Sequence, residues 1–195
     1  MMLQPTTRFS AEEFLAWDAT QSERYQLVWG EASAMAGASV AHGTIVANLT
    51  VLLRPGLRGE PCRFFTTDVK LAIGTDARRI TYPDAFVTCD ARDRGERLIQ
   101  RFPKLIVEVL SPSTAADDRG EKFAAYRTIA TLEEYVLVDG TRPHVEAYRR
   151  TERGTWELVH DADAGTIDLA SLDGMMITFD DLYADVDLTT QSDRS

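Results

Sequence analysis

The chain has 195 residues, 44% hydrophobic and 27% charged, with 12 Gly and 7 Pro, which is the composition of an ordinary soluble protein able to bury one sizeable core. No apolar stretch approaches the ~20 residues of a membrane span, and Met1-Met2-Leu3-Gln4-Pro5-Thr6-Thr7-Arg8 lacks the hydrophobic region of a signal peptide, so the expectation is a cytoplasmic protein with no membrane contact. A formal net charge of −10 removes the usual basic footprint of a nucleic-acid binder, although bound cations or a local basic patch can reverse the sign where it matters.

Ser10-Ala11-Glu12-Glu13 has the form of a capping box and opens a short helix to about Ala19, with Phe14 and Trp17 on one face. Two short strands over 25–29 and 32–35 are broken by Gly30-Glu31, a hairpin turn. From His42 to about Leu53 the apolar residues Ile45, Val46, Leu49, Leu52 and Leu53 recur at helical spacing until Pro55-Gly56 stops the pattern. Strands are expected over 63–66, 68–73, 80–88 and 104–110, then a helix over 117–129, a buried strand at 135–139 and an edge-like strand at 145–149. Segments 156–159 and 166–169 look peripheral, and 179–183 suits a closing helical turn. The class is therefore α/β or mixed α+β, a mixed sheet flanked by helices with a strand-helix-strand crossover over 104–138. Residues 1–186 read as one domain and 187–195 as a polar, disordered tail. Cys62 and Cys89 stand apart with no ligand spacing, so reduced core thiols are expected.

The chemistry begins with Glu108, set in the most apolar run of the chain, Leu105-Ile106-Val107-Glu108-Val109-Leu110. A buried carboxylate costs several kcal/mol unless it finds a cation or a metal. Asp84 lies twenty-four positions upstream in a second β-rich segment, and Lys122 lies fourteen downstream, near the start of the expected helix. Asp84, Glu108 and a backbone carbonyl, most simply that of Val109, make a hard oxygen site suited to magnesium or manganese. Lys122 can then orient water or neutralise charge, and phosphodiester hydrolysis is the reaction such a set serves best. Bland readings stand beside each of these. Asp84 can cap a turn after Pro83, Glu108 can form a buried salt bridge with Lys122 or an Arg, Lys122 can be solvated or pair with Asp118 at helical spacing, and Asp117 and Asp118 can simply favour a helix N-terminus. Tyr126 reads as core, His144 and His160 receive no function, and Arg92, Arg94, Arg97, Arg101 and Lys104 form either a basic patch or a solvated loop.

Pro83-Asp84-Ala85-Phe86-Val87, the run from Leu105 through Ser111-Pro112-Ser113-Thr114, Lys122-Phe123-Ala124-Ala125-Tyr126, and Leu132-Glu133-Glu134-Tyr135-Val136-Leu137-Val138-Asp139 occur in this order, preceded by Arg24-Tyr25-Gln26-Leu27-Val28-Trp29-Gly30-Glu31 and His42. In series they resemble the Uma-type restriction endonuclease family over about 9–183. The resemblance implies the PD-(D/E)XK nuclease-like fold, a mixed four-stranded core sheet flanked by helices, with a divalent-metal site. Carried over, Asp84 and Glu108 are metal ligands. The superfamily lysine would fall at Leu110, so the resemblance supports a migrated lysine, Lys122. Where relatives commonly carry a Glu this chain has Gln26, which Glu31 would have to compensate, and His42 matches a family histidine of accessory role.

The resulting expectation is a Mg2+- or Mn2+-dependent endonuclease acting on nucleic acid, DNA before RNA, as a homodimer. The competing classes are an inactive nuclease-fold module that binds a partner, which net acidity and Gln26 favour, and a phosphoesterase of small nucleotides.

Overall fold

The capping box forms as its sequence predicts: Ser10 Oγ accepts from the Glu13 N–H at 3.2 Å, the Glu13 carboxylate accepts from the Ser10 N–H at 2.8 Å, and α1 (Ala11–Asp18) follows. The computed structural model describes residues 8–35 and 37–188, so most of the expected tail, 189–195, lies outside the described residues. β1 (Tyr25–Val28) and β2 (Glu31–Ala34) make the expected hairpin. Its turn is Trp29-Gly30 rather than Gly30-Glu31, with φ of 52° and 89°, the left-handed pair that matches the twist of flanking strands. α2 (Val40–Leu53) is capped by Ser39, whose hydroxyl accepts from the His42 N–H at 3.2 Å.

The chain continues through β3 (Arg63–Thr66), β4 (Lys70–Ile73), β5 (Arg79–Thr81), β6 (Ala85–Thr88), β7 (Ile99–Gln100) and β8 (Pro103–Leu110), then α3 (Ala115–Arg119) and α4 (Glu121–Tyr126). β9 (Glu134–Asp139), β10 (Val145–Arg150), β11 (Trp156–Ala162), β12 (Thr166–Leu169), β13 (Met175–Thr178) and α5 (Phe179–Leu182) complete it. Among the described residues the strands form a six-stranded sheet ordered β11-β10-β9-β8-β6-β3, a five-stranded sheet ordered β2-β1-β5-β4-β7 and a β12-β13 pair. β8 and β9 run parallel around α3 and α4, which is the expected crossover, and β6 pairs antiparallel with β8. The sheets are larger than the four-stranded core that the resemblance implies.

Four further expectations are corrected. The single strand over 80–88 is two strands in different sheets, because Tyr82-Pro83-Asp84 carries the chain across between β5 and β6 and Pro83 has no N–H to give a ladder. The helix over 117–129 ends at Tyr126 and breaks at Gly120, where φ and ψ are both −104° and an added Cβ would lie 2.8 Å from the Ala116 carbonyl oxygen. β10 is interior, covered by β9 and β11. Cys62 and Cys89 are joined by a disulfide, not free: the β3–β6 register pairs Arg63 with Thr88 and so sets the next two residues opposite each other. Disulfides persist chiefly in oxidising compartments.

The centre of the six-stranded sheet, β6, β8 and β9, is buried on both faces, which explains why β8 reads as a continuous apolar run. Leu105, Val107 and Val109 pack with Ile45, Val46, Leu49 and Leu53 of α2. Ile106 and Leu110 point the other way, into a cluster with Phe123, Tyr126, Tyr135 and Leu137. Each such side chain contributes roughly 1.5–3 kcal/mol when fully buried. Glu108 shares the parity of Ile106 and Leu110, so the period of two turns it toward α4. Among the described residues no helix is long and apolar enough to cross a membrane.

Candidate active site

Asp84 and Glu108 meet because of strand register. Ala85 pairs with Val107, so the residue entering β6 comes to rest beside the next residue of β8. Asp84 Oδ2 accepts from the Val109 N–H at 2.7 Å, and the Asp84 N–H lies 3.5 Å from Glu108 Oε2. The β8–α3–α4 crossover then returns Lys122 over the strand, with its Nζ 2.9 Å from Glu108 Oε1 and 2.9 Å from Asp118 Oδ1. His42, in the first turn of α2, closes the other side with Nε2 3.0 Å from Asp84 Oδ1. Four elements therefore converge on two carboxylates that line a cleft of about 1010 Å3.

Asp84, Glu108, Lys122, His42, Gln26 and Val109 all line that cleft. Glu31 does not; it is exposed at the start of β2, so it is not placed to compensate for Gln26. The cluster from Arg92 to Lys104 does not line it either: Arg92 pairs with Asp90 and stacks on Phe102, and Lys104 lies 3.7 Å from Glu133. Two residues that the sequence reads only as structural, an ion-pair partner for Lys122 and a core tyrosine, also reach the site. Asp118 holds Lys122, and the buried Tyr126 hydroxyl donates to Glu108 Oε1 at 2.7 Å. The signal for both was helical spacing, since Asp118, Lys122 and Tyr126 follow one another at intervals of four. The fold interrupts that helix at Gly120 yet keeps the three on one side.

Burial pushes the Glu108 carboxyl up to about 8, against the opposing pull of the Lys122 ammonium. Burial also works to lower Lys122, but Glu108 and Asp118 outweigh it, and the ammonium is held above its ordinary value. Burial, followed by the charge of Glu108, raises the Tyr126 phenol well above its ordinary value, which keeps it a donor.

Among the described residues no three His, Cys, Asp or Glu side chains are grouped to hold a metal ion. Two carboxylates are present, both hard oxygen donors, and among the described residues Glu108 Oε2 has only the long contact to the Asp84 N–H. Magnesium retains several waters and binds through one or two carboxylates plus substrate phosphate, so this donor set fits such an ion and does not fit a closed structural cage. The cleft lining carries Glu23, Asp84, Glu108, Asp117 and Asp118 against Arg24 and Lys122, which makes it acidic in the absence of a cation.

The profile of the family Uma2, described as "Putative restriction endonuclease", matches residues 11–179. The uncharacterized protein slr1290 of Synechocystis sp. is 35% identical over 179 residues, covering 92% of this chain and 93% of its own length. A second uncharacterized protein of that organism, sll1609, is 33% identical over 162 residues, covering 81% of this chain and 90% of its own length. A solved structure described as "a putative nuclease belonging to DUF820 from Anabaena variabilis" matches with a TM-score of 0.70 over 90% of this chain and 97% of that one, at 16% identity, a likeness of fold.

Proposed function

Since the chain belongs to the Uma2 family, we propose that it hydrolyses phosphodiester bonds of nucleic acid, DNA in the first instance, with magnesium or manganese held by Asp84 and Glu108. The observation that carries this reading is the meeting of those two carboxylates in the cleft with the Lys122 ammonium 2.9 Å from Glu108. The Val109 carbonyl is the third proposed protein ligand. An ion bound there would polarise a phosphate oxygen and lower the pKa of a water.

The remaining work falls to the chain's own groups. Lys122 stays charged beside the reacting phosphate and offsets the negative charge that develops there. Asp118 fixes the lysine's direction, and His42 with the Val109 N–H fixes Asp84. Gln26, a neutral amide in the cleft, can donate to a phosphate oxygen that a carboxylate would repel. The acidic lining would repel a polyanion unless a cation held by Asp84 and Glu108 offset its charge. A homodimer belongs to the reading, with the exposed Leu158 and Val159 of edge strand β11 as the surface available for it.

The same acidity favours one alternative, a nuclease-fold module that binds a partner without cutting. Plasmid cleavage with Mg2+ or Mn2+ decides between them. Wild type should nick DNA, chelator should stop it, and Asp84→Ala, correctly folded by circular dichroism, should be at least about 1,000-fold slower, about 4 kcal/mol of barrier. Equal cleavage by Asp84→Ala, or no cleavage and no Mn2+ binding by wild type, would overturn the nuclease reading.

A further inference from the structure

The Tyr126 hydroxyl is buried, belongs to α4 and has no part in the reaction as described above. It donates to Glu108 Oε1 at 2.7 Å, and Lys122 Nζ reaches that same oxygen at 2.9 Å. The other oxygen, Oε2, has the Asp84 N–H at 3.5 Å, beyond the usual range of a good hydrogen bond. Two strong donors on one oxygen fix a carboxylate's rotation and decide which oxygen is left over. Tyr126 is itself fixed by packing against Tyr135, with ring centroids 5.5 Å apart.

We propose that Tyr126 is a positioning residue that, together with Lys122, pins Glu108 Oε1 and so presents Oε2 alone to the divalent ion. This rests on the metal-dependent reading above and deepens it by assigning the ligand atom and its mode. Single-oxygen ligation suits magnesium and manganese, which demand near-octahedral geometry. It withholds the two-oxygen mode that calcium readily accepts. Tyr126 thereby becomes a determinant of which cation the cleft takes.

The test is calorimetric titration of Mn2+ and of Ca2+ into wild type, Tyr126→Phe, Tyr135→Phe and Glu108→Gln. Tyr135 is the control, because its hydroxyl is equally buried but donates to the Asp118 carbonyl at 3.0 Å and not to Glu108. Tyr126→Phe should weaken Mn2+ by about 10- to 100-fold, the usual effect of losing a group that orients a ligand. Ca2+ should hold or tighten, so that the Mn2+ to Ca2+ preference falls by about tenfold or more. Tyr135→Phe should leave that preference unchanged. A Tyr126→Phe protein with wild-type Mn2+ affinity, or one that loses both ions in equal measure, overturns the positioning role while leaving the metal site intact. Wild type without Mn2+ binding, or Glu108→Gln with undiminished binding, overturns the metal reading itself and this inference with it. Should Tyr126→Phe not fold, a crystal of wild type grown with Mn2+ decides the matter. An ion on Oε2 with the phenol still on Oε1 supports the proposal, and an ion on Oε1 or on both oxygens refutes it.

Discussion

Glu108 and Glu134 are buried in adjacent parallel strands of one sheet, at 2% and 0% exposure, yet they are used in opposite ways. Glu134 has both oxygens occupied: Arg149 Nη2 donates to Oε1 at 3.0 Å, while the Ser171 N–H and hydroxyl donate to Oε2 at 3.1 and 2.7 Å. It ties β9 to β10 and to the helical turn over Ala170–Leu172, on the opposite sheet face from Glu108 and outside the cleft lining. Glu108 has two donors crowded on one oxygen and the other oxygen nearly unclaimed, and it lines the cleft. Depth of burial does not separate these two carboxylates. Vacant acceptor capacity beside open space does.

Substituting the two glutamates in turn should sharpen that contrast most. Glu134→Gln sets an amide N–H against the Ser171 donors and leaves Arg149 without its anion, a change that should destabilise the protein by about 3 kcal/mol. The melting temperature should fall by about 6–12 °C, measured by differential scanning calorimetry, with Mn2+ affinity kept by the folded fraction. Glu108→Gln should move stability by less than about 1 kcal/mol, since relief from desolvation offsets the lost contact and Lys122 retains Asp118. A Glu108→Gln protein destabilised as much as Glu134→Gln would place the two residues in one structural class.

A second contrast lies in protons. With its folded value raised to about 8, Glu108 holds a proton more tightly in the fold than in the unfolded chain. Its contribution therefore favours the fold at low pH and is lost as pH rises through that value. Metal binding requires the carboxylate, so Mn2+ affinity should climb with pH between about 6 and 8, with up to about one proton released per ion at the acid end and almost none above pH 9. Titration in buffers of different ionisation enthalpy measures this directly. Affinity that is flat over that range would mean Glu108 is not the group exchanging a proton for the ion.

Much of this was legible in the chain because strand parity and register are local quantities. A lone acid in the run 105–110 pointed to Glu108, and the same reasoning applied to Asp84 brought the pair together. The identical argument would have selected Glu134, which heads the next apolar run, and nothing in one-dimensional spacing says that Arg149 and Ser171 are waiting for it. The split of 80–88 between two sheets was hidden because a β-rich run around a proline looks the same whether or not it changes partner. Tyr126 looked like core because it is core by packing, and only the 2.7 Å contact of its hydroxyl shows its tie to Glu108. The disulfide escaped because the β3–β6 pairing that aligns Cys62 with Cys89 spans a sequence separation of 27.

The smallest expected effect concerns a third buried charge, intermediate between the two glutamates. Arg79, on β5 of the five-stranded sheet, is buried, donates from Nη1 to the Glu121 carbonyl at 3.3 Å and lies 3.7 Å from Asp117, while its Nε has no hydrogen-bond partner among the described residues. It joins the second sheet to the start of α4, one residue before Lys122. A buried cation so incompletely matched adds little net stability, because its desolvation offsets most of what those contacts return. Arg79→Met, close in volume, should therefore shift stability by less than about 1 kcal/mol, about 2–4 °C in melting temperature. Cleavage should nonetheless fall on the order of a few-fold, since α4 would carry Lys122 with less constraint. Melting and plasmid cleavage measured on the same preparation check both halves. A large loss of stability would make Arg79 a second Glu134, and unchanged cleavage would show that the crossover alone, without the five-stranded sheet, holds the lysine in place.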